Sequence, residues 1–293
     1  ACGYDHVFIT VEKVRVHQSA NAEDNDGGWH EIVLDPARRI DLLTLTNGVL
    51  EALGQTALPA GKYTQMRLVL ASNNPTRMAN SVVPTGGGEE ELITPSGSQT
   101  GVKMNVDITV EPDKVADFVI DFDACKSVVI AGNSRNKYLL KPVVRVIPVF
   151  SNAGQRIVGY VDPATLGAAT LVSAQSGGVV YKATMPVTTA KLGETNVQFV
   201  LYPVPPGTYD LVIASSGRAT AVMTGVPVAT TAETRVSSDE VPIALSVSDT
   251  KSASGTVSVN ASTVNTGAMV RALQALHNGP TVEVAGMPVD ADT

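Results

Sequence analysis

Short runs of alternating apolar and polar residues recur along the whole chain, and Gly and Pro residues separate them. The first run, Val7–Val11, continues at Val14–His17 with the alternation shifted by one position. Such a shift predicts a bulge inside one long strand. Short strands separated by turns at this spacing are typical of sandwiches and barrels. We therefore expect an all-β protein built from tandem β-sandwich domains.

The pattern divides the chain into three segments. Residues 1–150 contain the longer runs, and residues 151–245 contain shorter runs with almost no charge, enough for one small sandwich. Residues 246–293 repeat the opening of the second segment, so that Met287–Val289 reproduces Met185–Val187. The repeat stops there, which predicts an incomplete third sandwich. In the first segment, further strands are predicted at 29–34, 63–70, 102–110, 117–122 and 138–149.

Two stretches leave the type of element open. Residues 40–45 fit either a short helical turn or a strand that ends at Asn47-Gly48. Taken alone, residues 269–276 with Gly279 after them are typical of a helix with a glycine stop. The repeat places the same stretch on a strand of the second segment, and we predict a strand there.

One turn sequence occurs in both larger segments. Pro59-Ala60-Gly61-Lys62-Tyr63 and Pro205-Pro206-Gly207-Thr208-Tyr209 both place Pro and Gly ahead of a Tyr that opens a strand. We predict a structural role for each Tyr: a buried ring whose hydroxyl reaches a carbonyl of the corner.

Composition and charge narrow the class of protein. Hydrophobic residues make up 44%, aromatic residues 4% and charged residues 17%, and the net charge is −7. No stretch concentrates Lys and Arg, which argues against a nucleic-acid partner. No apolar run reaches the roughly 18 residues of a transmembrane helix. The composition favours an extracellular β-rich protein over a cytosolic enzyme.

Two cysteines, Cys2 and Cys125, are present. An even count in such a composition suits one disulfide formed in an oxidising compartment, and two inert buried thiols are the alternative. Ala1-Cys2-Gly3 resembles the end of a bacterial lipoprotein signal, but Ala1 still precedes the cysteine. We predict the Cys2–Cys125 disulfide.

Candidate catalytic and metal-binding groups are sparse. His6, His17, His30 and His277 show no spacing typical of a zinc site. The acidic run Ala22–Gly28, with Asp24 and Asp26, lacks the Glu that an EF-hand loop requires. We interpret that acidic run as a solvated loop, with calcium binding left open.

Two further acidic groups are the run Gly86–Glu91 and the pair Asp121 and Asp123. Gly86–Glu91 lacks the residues of a phosphate-binding loop, so we interpret it as a mobile acidic loop. Asp121 and Asp123 lie on one face of a strand, where paired carboxylates can act in acid–base chemistry. We interpret them as partners of Arg or Lys. The sequence predicts no catalytic, cofactor or metal site.

Two sets of motifs carry resemblances to known families. The motifs of the first segment are Val11–Val14, Trp29, Ile40–Leu43, Leu58–Tyr63, Arg67–Leu70, Thr94–Gly97, Asp121–Asp123 and Leu140–Val143. Through them, residues 1–150 resemble a family of bacterial surface domains of unknown function, and the resemblance implies an exported protein, often a lipoprotein. Through Val158–Val161 and Pro205–Leu211, residues 151–245 are similar to carboxypeptidase regulatory-like domains, which are small transthyretin-type sandwiches. The resemblances imply a tandem β-sandwich fold (Ig-like/transthyretin-like).

These observations favour a non-enzymatic extracellular structural protein, a fibre subunit whose copies meet head to tail through terminal strands. A neighbouring copy would complete the unfinished repeat and extend a filament. The alternative origin of the unfinished repeat is a natural chain that continues. The alternative function is a cell-surface adhesin or ligand-binding lipoprotein, for which a few Tyr and one Trp supply a poor aromatic platform.

Overall fold

The computed structural model describes residues 3–95, 97–130, 137–151, 153–186, 193–250, 252, 254–257 and 268–289. Nearly all regular structure in these residues is β-strand, arranged in several sheets, so the prediction of an all-β fold of tandem sandwiches is confirmed. Among the described residues, helix is limited to α1 (Ala124–Ser127) and to 3-10 turns at Leu42–Thr44 and Pro163–Thr165.

The described strands are, in chain order, β1 (Tyr4–His17), β2 (His30–Asp41), β3 (Gly61–Leu70), β4 (Ser81–Pro84), β5 (Glu90–Ile93), β6 (Val102–Val110), β7 (Asp117–Phe122), β8 (Val128–Ile130), β9 (Tyr138–Leu140), β10 (Val144–Val149), β11 (Ile157–Val161), β12 (Thr170–Ser176), β13 (Val179–Thr184), β14 (Val197–Leu201), β15 (Gly207–Ser215), β16 (Ala221–Val228), β17 (Thr234–Arg235), β18 (Met269–Ala275) and β19 (Thr281–Pro288).

The chain forms two compact units. The first contains residues 3–45 and 50–148, and the second contains residues 46–49 and 149–289. The second unit therefore includes both the segment predicted as a small sandwich and the described part of the segment predicted as an incomplete repeat. The division into three domains, with limits at 150 and 245, stays a prediction.

Strand β1 is the centre of the first unit. Its one edge pairs with β2, and its other edge pairs with β4 near the start of the strand and with β3 near the end. Both long pairings shift register between Val11 and Lys13, so the predicted bulge is confirmed. The sheet runs in the order β6-β3-β1-β4-β5-β9-β8, with β2 also beside β1.

Polar side chains fill the point where β1 changes its partner from β4 to β3. The main-chain N–H of Thr10 donates to Asn80 Oδ1 at 2.9 Å, and Asn80 Nδ2 donates to the carbonyl of Ala71 at 2.7 Å. The main-chain N–H of Ala71 donates in turn to the carbonyl of Thr10 at 2.8 Å. Thr10 and Asn80 are fully buried, so these bonds satisfy main-chain groups that water does not reach.

A second, two-stranded sheet of β7 and β10 closes the core of this unit. Apolar side chains of both strands, among them Phe118, Ile120 and Val146, pack against buried residues of the large sheet such as Ile9, Tyr63 and Leu92. Two sheets that share one apolar core form a sandwich.

Several local predictions for the first unit need correction. The strand predicted at 138–149 is two strands in different sheets, because Lys141-Pro142-Val143 interrupts it and Pro lacks a main-chain N–H. Residues 40–45 contain both predicted alternatives, since β2 ends at Asp41 and a 3-10 turn follows. Strands β4, β5 and β8 and helix α1 were not predicted.

The second unit contains one sheet in the order β14-β11-β17 and another in the order β13-β12-β15-β16. Their facing side chains form one core, which includes Ile157, Phe199, Leu201, Val172, Leu211 and Ile213. Gly159 on β11 is required by close packing, because a Cβ there would lie 2.5 Å from the Phe199 ring. The predicted strand at residues 269–276 is present as β18, which forms a hairpin with β19.

Both predicted tyrosine corners are present. The hydroxyl of Tyr63 donates to the carbonyl of Pro59 at 3.0 Å, and the hydroxyl of Tyr209 donates to the carbonyl of Pro205 at 2.8 Å. The rings are buried, and burial raises the pKa of Tyr209. Each hydroxyl therefore fixes the turn that feeds its strand.

Removing either hydroxyl should destabilise only the unit that contains it. We expect Tyr63→Phe and Tyr209→Phe each to lower the free energy of unfolding by about 1–2 kcal/mol, since a corner carbonyl loses its donor. Thermal unfolding followed by circular dichroism measures the change. Tyr202→Phe is the matched control, because Tyr202 is also buried and its hydroxyl makes no hydrogen bond within the described residues. Equal losses in all three variants would contradict the interpretation.

Candidate functional site

The paired carboxylates of the first unit have different structural roles. Asp123 caps α1, since its side chain accepts a hydrogen bond from the main-chain N–H of Lys126, and its carboxylate lies 3.6 Å from the Lys126 ammonium. Burial raises the pKa of Asp123 above its ordinary value, while the nearby Lys126 acts in the opposite direction. The interpretation of Asp123 as an ion-pair partner is confirmed, and Asp121 adds a like charge that also raises this pKa.

Each histidine contacts different groups. His6 pairs with Asp41 at 2.6 Å and stacks on Phe8, while His17 bonds to the carbonyl of Gly27 and packs against Trp29. His30 lies edge-on to Tyr63, and His277 bonds to Asn278. Within the residues that the structure describes, no group of three or more His, Cys, Asp or Glu residues could hold a metal ion.

Two arginines neutralise the acidic loop at residues 23–28. The Asp24 carboxylate pairs with Arg15 and with Arg67, whose guanidinium lies 3.4 Å away. Both guanidiniums also lie over the Trp29 ring, at 4.4 and 4.8 Å from its centroid. Two arginines of the same unit therefore balance the negative charge of Asp24. Asp24 is not available as an open cation ligand.

The other acids of this loop, Glu23 and Asp26, are exposed to solvent. Asp26 accepts a hydrogen bond from the N–H of Glu23 at 2.8 Å, and the indole N–H of Trp29 donates to the carbonyl of Glu23 at 2.9 Å. Residues 25–28 are exposed as well, which agrees with the interpretation of a solvated loop. The pairing of Asp24 with two arginines that are distant in sequence was not predicted.

The acidic run after Gly86 is only partly a loop. Glu90 and Glu91 open β5, so the interpretation of the whole run as a mobile loop is wrong. Glu89 accepts a hydrogen bond from the Ser81 hydroxyl and pairs with Arg39. The Ser81 hydrogen bond, with a further contribution from Arg39, lowers the pKa of Glu89.

One amide side chain binds the hairpin β18–β19 to the rest of the second unit. Gln175 Nε2 on β12 donates to the carbonyl of Glu283 at 2.7 Å, and Gln175 Oε1 accepts from the N–H of Glu283 at 2.7 Å. Gln175 is 1% exposed, and Val282 beside Glu283 is 0% exposed. The amide thus pairs with the edge of β19 as a neighbouring strand would. We call Gln175 and the main chain of Glu283 the amide clamp.

A second contact supports the amide clamp. Arg271 on β18 donates to the carbonyl of Gly178, in the turn between β12 and β13, and also pairs with the Glu283 carboxylate. A Cβ at Gly178 would lie 3.1 Å from the carbonyl oxygen of Thr281, so this glycine permits the close approach of β19. The sequence offered no signal for these contacts.

The other side of the hairpin is exposed. All seven residues of β18 are exposed to solvent, and the exposed side chains include Val270 at 44% and Leu273 at 52%. Met287 on β19 is 65% exposed. In the part of the chain that the structure describes, β18 pairs with β19 alone. The hairpin is therefore held on one edge and presents an unpaired apolar strand on the other.

Of the two residues of the predicted disulfide, the structure describes Cys125. Cys125 is the second residue of α1 and is half-buried, whereas Cys2 lies outside the described residues. The adjoining residue, Gly3, accepts a hydrogen bond from the N–H of Thr85 at 3.0 Å, and the Tyr4 ring lies 6.0 Å from the Tyr138 ring. Tyr138 is on β9, which pairs with the strand that follows α1. The disulfide stays a prediction.

One comparison with known proteins finds a match to the first part of the chain. Residues 1–142 match a family model that is described as a domain of unknown function (DUF4382). No curated protein matches the chain. No solved structure matches it either. The match agrees with the resemblance seen in the sequence for this segment, and it specifies no activity.

Loss of the Asp24 charge should destabilise the first unit without any change in metal binding. We expect Asp24→Asn to lower the free energy of unfolding by about 1–3 kcal/mol, since two largely buried guanidiniums lose a charged acceptor. Thermal unfolding with added calcium and with a chelator measures this, and both should leave the midpoint of the unmodified chain unchanged.

Asp26→Asn is the matched control in the same loop, because an amide oxygen can still accept the Glu23 N–H. A midpoint that rises with calcium in the unmodified chain and not in Asp24→Asn would show that the arginines do not replace a cation.

Proposed function

We propose that the chain is a non-enzymatic extracellular structural protein, a subunit of a bacterial surface fibre whose copies meet head to tail through β-strands. The observation that carries this proposal is the hairpin β18–β19, whose strand β18 exposes its whole length, including Val270 and Leu273. The hairpin is the assembly site of this proposal.

The physics of sheet edges supports an assembly role. An exposed edge strand offers unpaired N–H and C=O groups together with apolar side chains, and proteins that stay monomeric protect such edges with charge, Pro or a covering element. Arg271 is the one charged residue of β18, and its guanidinium binds the Glu283 carboxylate and the Gly178 carbonyl. It therefore does not protect the exposed edge of β18. A contact between this edge and a different surface of the next copy is heterologous, and it extends a filament unless it closes into a ring.

Several features support an exported location. The net charge of −7, the low content of charged residues and the single pair of cysteines are typical of extracellular β-proteins. The resemblance of the first segment to exported, often lipidated domains and of the second to carboxypeptidase regulatory-like modules points the same way. None of the helices in the described residues is long and apolar enough to cross a membrane.

The candidate chemical groups support a structural role over catalysis. Asp123 caps a helix, Asp24 pairs with two arginines and Glu89 pairs with Arg39. Each of these carboxylates is thus engaged in holding the fold.

The adhesin alternative is less favoured by the aromatic residues. Trp29 lies beneath the guanidiniums of Arg15 and Arg67 and donates its N–H to Glu23. A sugar-binding platform needs an open ring face, and these contacts occupy the Trp29 ring.

A charge on the exposed edge should abolish fibres and spare the fold. We expect the unmodified chain to form fibres in negative-stain electron microscopy and Leu273→Lys to form none, since the new ammonium would be buried at the junction. The unfolding free energy should change by less than about 0.5 kcal/mol, because Leu273 is exposed in the single chain.

Val241→Lys provides the control, because Val241 is 71% exposed in the same unit but lies outside the hairpin. An unmodified chain that remains monomeric at high concentration would contradict the proposed function, as would normal fibres from Leu273→Lys.

We also propose that Cys2 and Cys125 form a disulfide that anchors the start of the first unit to α1. The expected intact mass is about 2 Da below that of the dithiol and rises to it after reduction, since a disulfide lacks two hydrogens. Closing a loop of this size should stabilise the unit by about 4–5 kcal/mol in the chain-entropy model. Two thiols that react with an alkylating reagent in the folded, unreduced protein would refute the pairing.

A further inference from the structure

We propose that His17 is a pH-sensitive lock on the loop between β1 and β2, closed while its ring is neutral and opened when the ring is protonated. The lock consists of His17 at the end of β1, Ser19 at the start of the loop and Gly27-Gly28 at its end. It is a conformational device of the first unit and does not depend on the proposed assembly of copies.

Both ring nitrogens of His17 bind main-chain groups of the same loop. The N–H of Ser19 donates to Nδ1 at 2.8 Å, and Nε2 lies 2.9 Å from the carbonyl oxygen of Gly27. A main-chain N–H can only donate and a carbonyl oxygen can only accept, so Nδ1 carries no hydrogen and Nε2 carries one. The two contacts therefore require the neutral ring in a single tautomer.

The end of the loop is shaped to close on this ring. Gly28 has φ +92°, and a Cβ at this position would lie 3.1 Å from His17 Nε2. A glycine permits both the left-handed conformation and the close approach to the ring. The next residue, Trp29, packs against the imidazole with the ring centroids 5.0 Å apart.

Protonation removes the only acceptor of the imidazole. Both nitrogens of the imidazolium carry hydrogen, so the N–H at Nδ1 would face the N–H of Ser19. Because one rigid ring makes both bonds, it cannot turn away from Ser19 without also leaving the Gly27 carbonyl. Protonation of His17 therefore releases both ends of the loop together.

The charged groups around the imidazole do not compensate for this loss. The Trp29 ring that packs on it also lies beneath the guanidiniums of Arg15 and Arg67, so an imidazolium would add a third positive charge against the same indole. Asp24 pairs with both guanidiniums, and neither ring nitrogen of His17 bonds to a carboxylate in the described residues. The other neighbouring side chains are the uncharged Gln65, which lies opposite His17 on β3, the exposed Glu23 and Asp26, and His30 at the start of β2.

The lock controls only one part of the loop. The carbonyl of Ala22 accepts from Gln65 Nε2 at 3.1 Å and from Arg67 Nη2 at 2.6 Å. These bonds and the ion pairs of Asp24 do not involve His17. Acid should therefore free residues 25–28 and uncover the Trp29 face beside His17, while residues 22–24 stay in place.

The accessibility of Trp29 reports the state of the lock, because Trp29 is the single tryptophan of the chain. We expect acrylamide quenching of its fluorescence to increase between about pH 8 and pH 5, the range in which histidines ordinarily titrate. A lost hydrogen bond of about 1 kcal/mol corresponds to an open fraction of the loop that is about fivefold larger. Circular dichroism over the same range should stay constant, since the sheets remain folded.

Two full-length variants assign the acid response to one histidine. His17→Gln should show no pH response, because its amide offers one acceptor and one donor and does not titrate. His30→Gln is the matched control at the neighbouring histidine, which packs edge-on against Tyr63, and it should respond as the unmodified chain does. Equal acid responses of the unmodified chain and His17→Gln would overturn the proposal, as would a response that His30→Gln abolishes.

A second measurement uses the unmodified chain, in case His17→Gln fails to fold. ¹⁵N NMR distinguishes ring nitrogens with and without hydrogen, and His17 should have a bare Nδ1 at neutral pH. The Ser19 amide should then shift as the His17 ring is protonated, because it loses its acceptor. Hydrogen on Nδ1 at neutral pH, or a Ser19 amide that does not follow the titration of His17, would contradict the lock.

Discussion

Buried main-chain groups need hydrogen-bond partners, and this requirement determines how the sheets of this protein end. At three places in the described chain, a buried amide side chain bonds main-chain groups at a position where a neighbouring strand is missing. Asn80 does so where β1 changes partner, and Gln155 accepts from the N–H of Phe150 at 2.7 Å while its own carbonyl accepts from Val204. Gln175 does so for β19. All three side chains are at most 1% exposed.

An amide is suited to this role because it offers one donor and one acceptor in a plane, as a peptide unit does. It also carries no charge, so its burial avoids the desolvation cost of a carboxylate or an ammonium. Charged side chains are buried instead beneath a loop, the one that carries Asp24. Arg15 and Arg67 reach from β1 and β3 to Asp24 and to Trp29, where several hydrogen bonds and a ring compensate for their partial burial.

The features that the sequence predicted are those set by near neighbours in the chain. The bulge near Glu12 follows from a parity shift between the neighbouring runs Val7–Val11 and Val14–His17. The corners at Tyr63 and Tyr209 follow from Pro and Gly four and two residues before each Tyr. The amide clamp joins positions 108 residues apart through main-chain atoms of Glu283, which any residue would supply. Side-chain patterns therefore carry no record of it, and assembly through terminal strands stays a prediction.

The dependence on amides gives the hairpin a special position among the strands. Asn80 accepts the N–H of Thr10 inside a core, whereas Gln175 binds a hairpin that residues 249–268 join to the rest of its unit. The hairpin thus has a specific contact on one edge and exposed apolar residues, Val270 and Leu273, on the other strand. The proposed assembly role requires this arrangement, because the amide clamp keeps the hairpin on its own unit while the edge of β18 offers main-chain groups to a neighbouring copy.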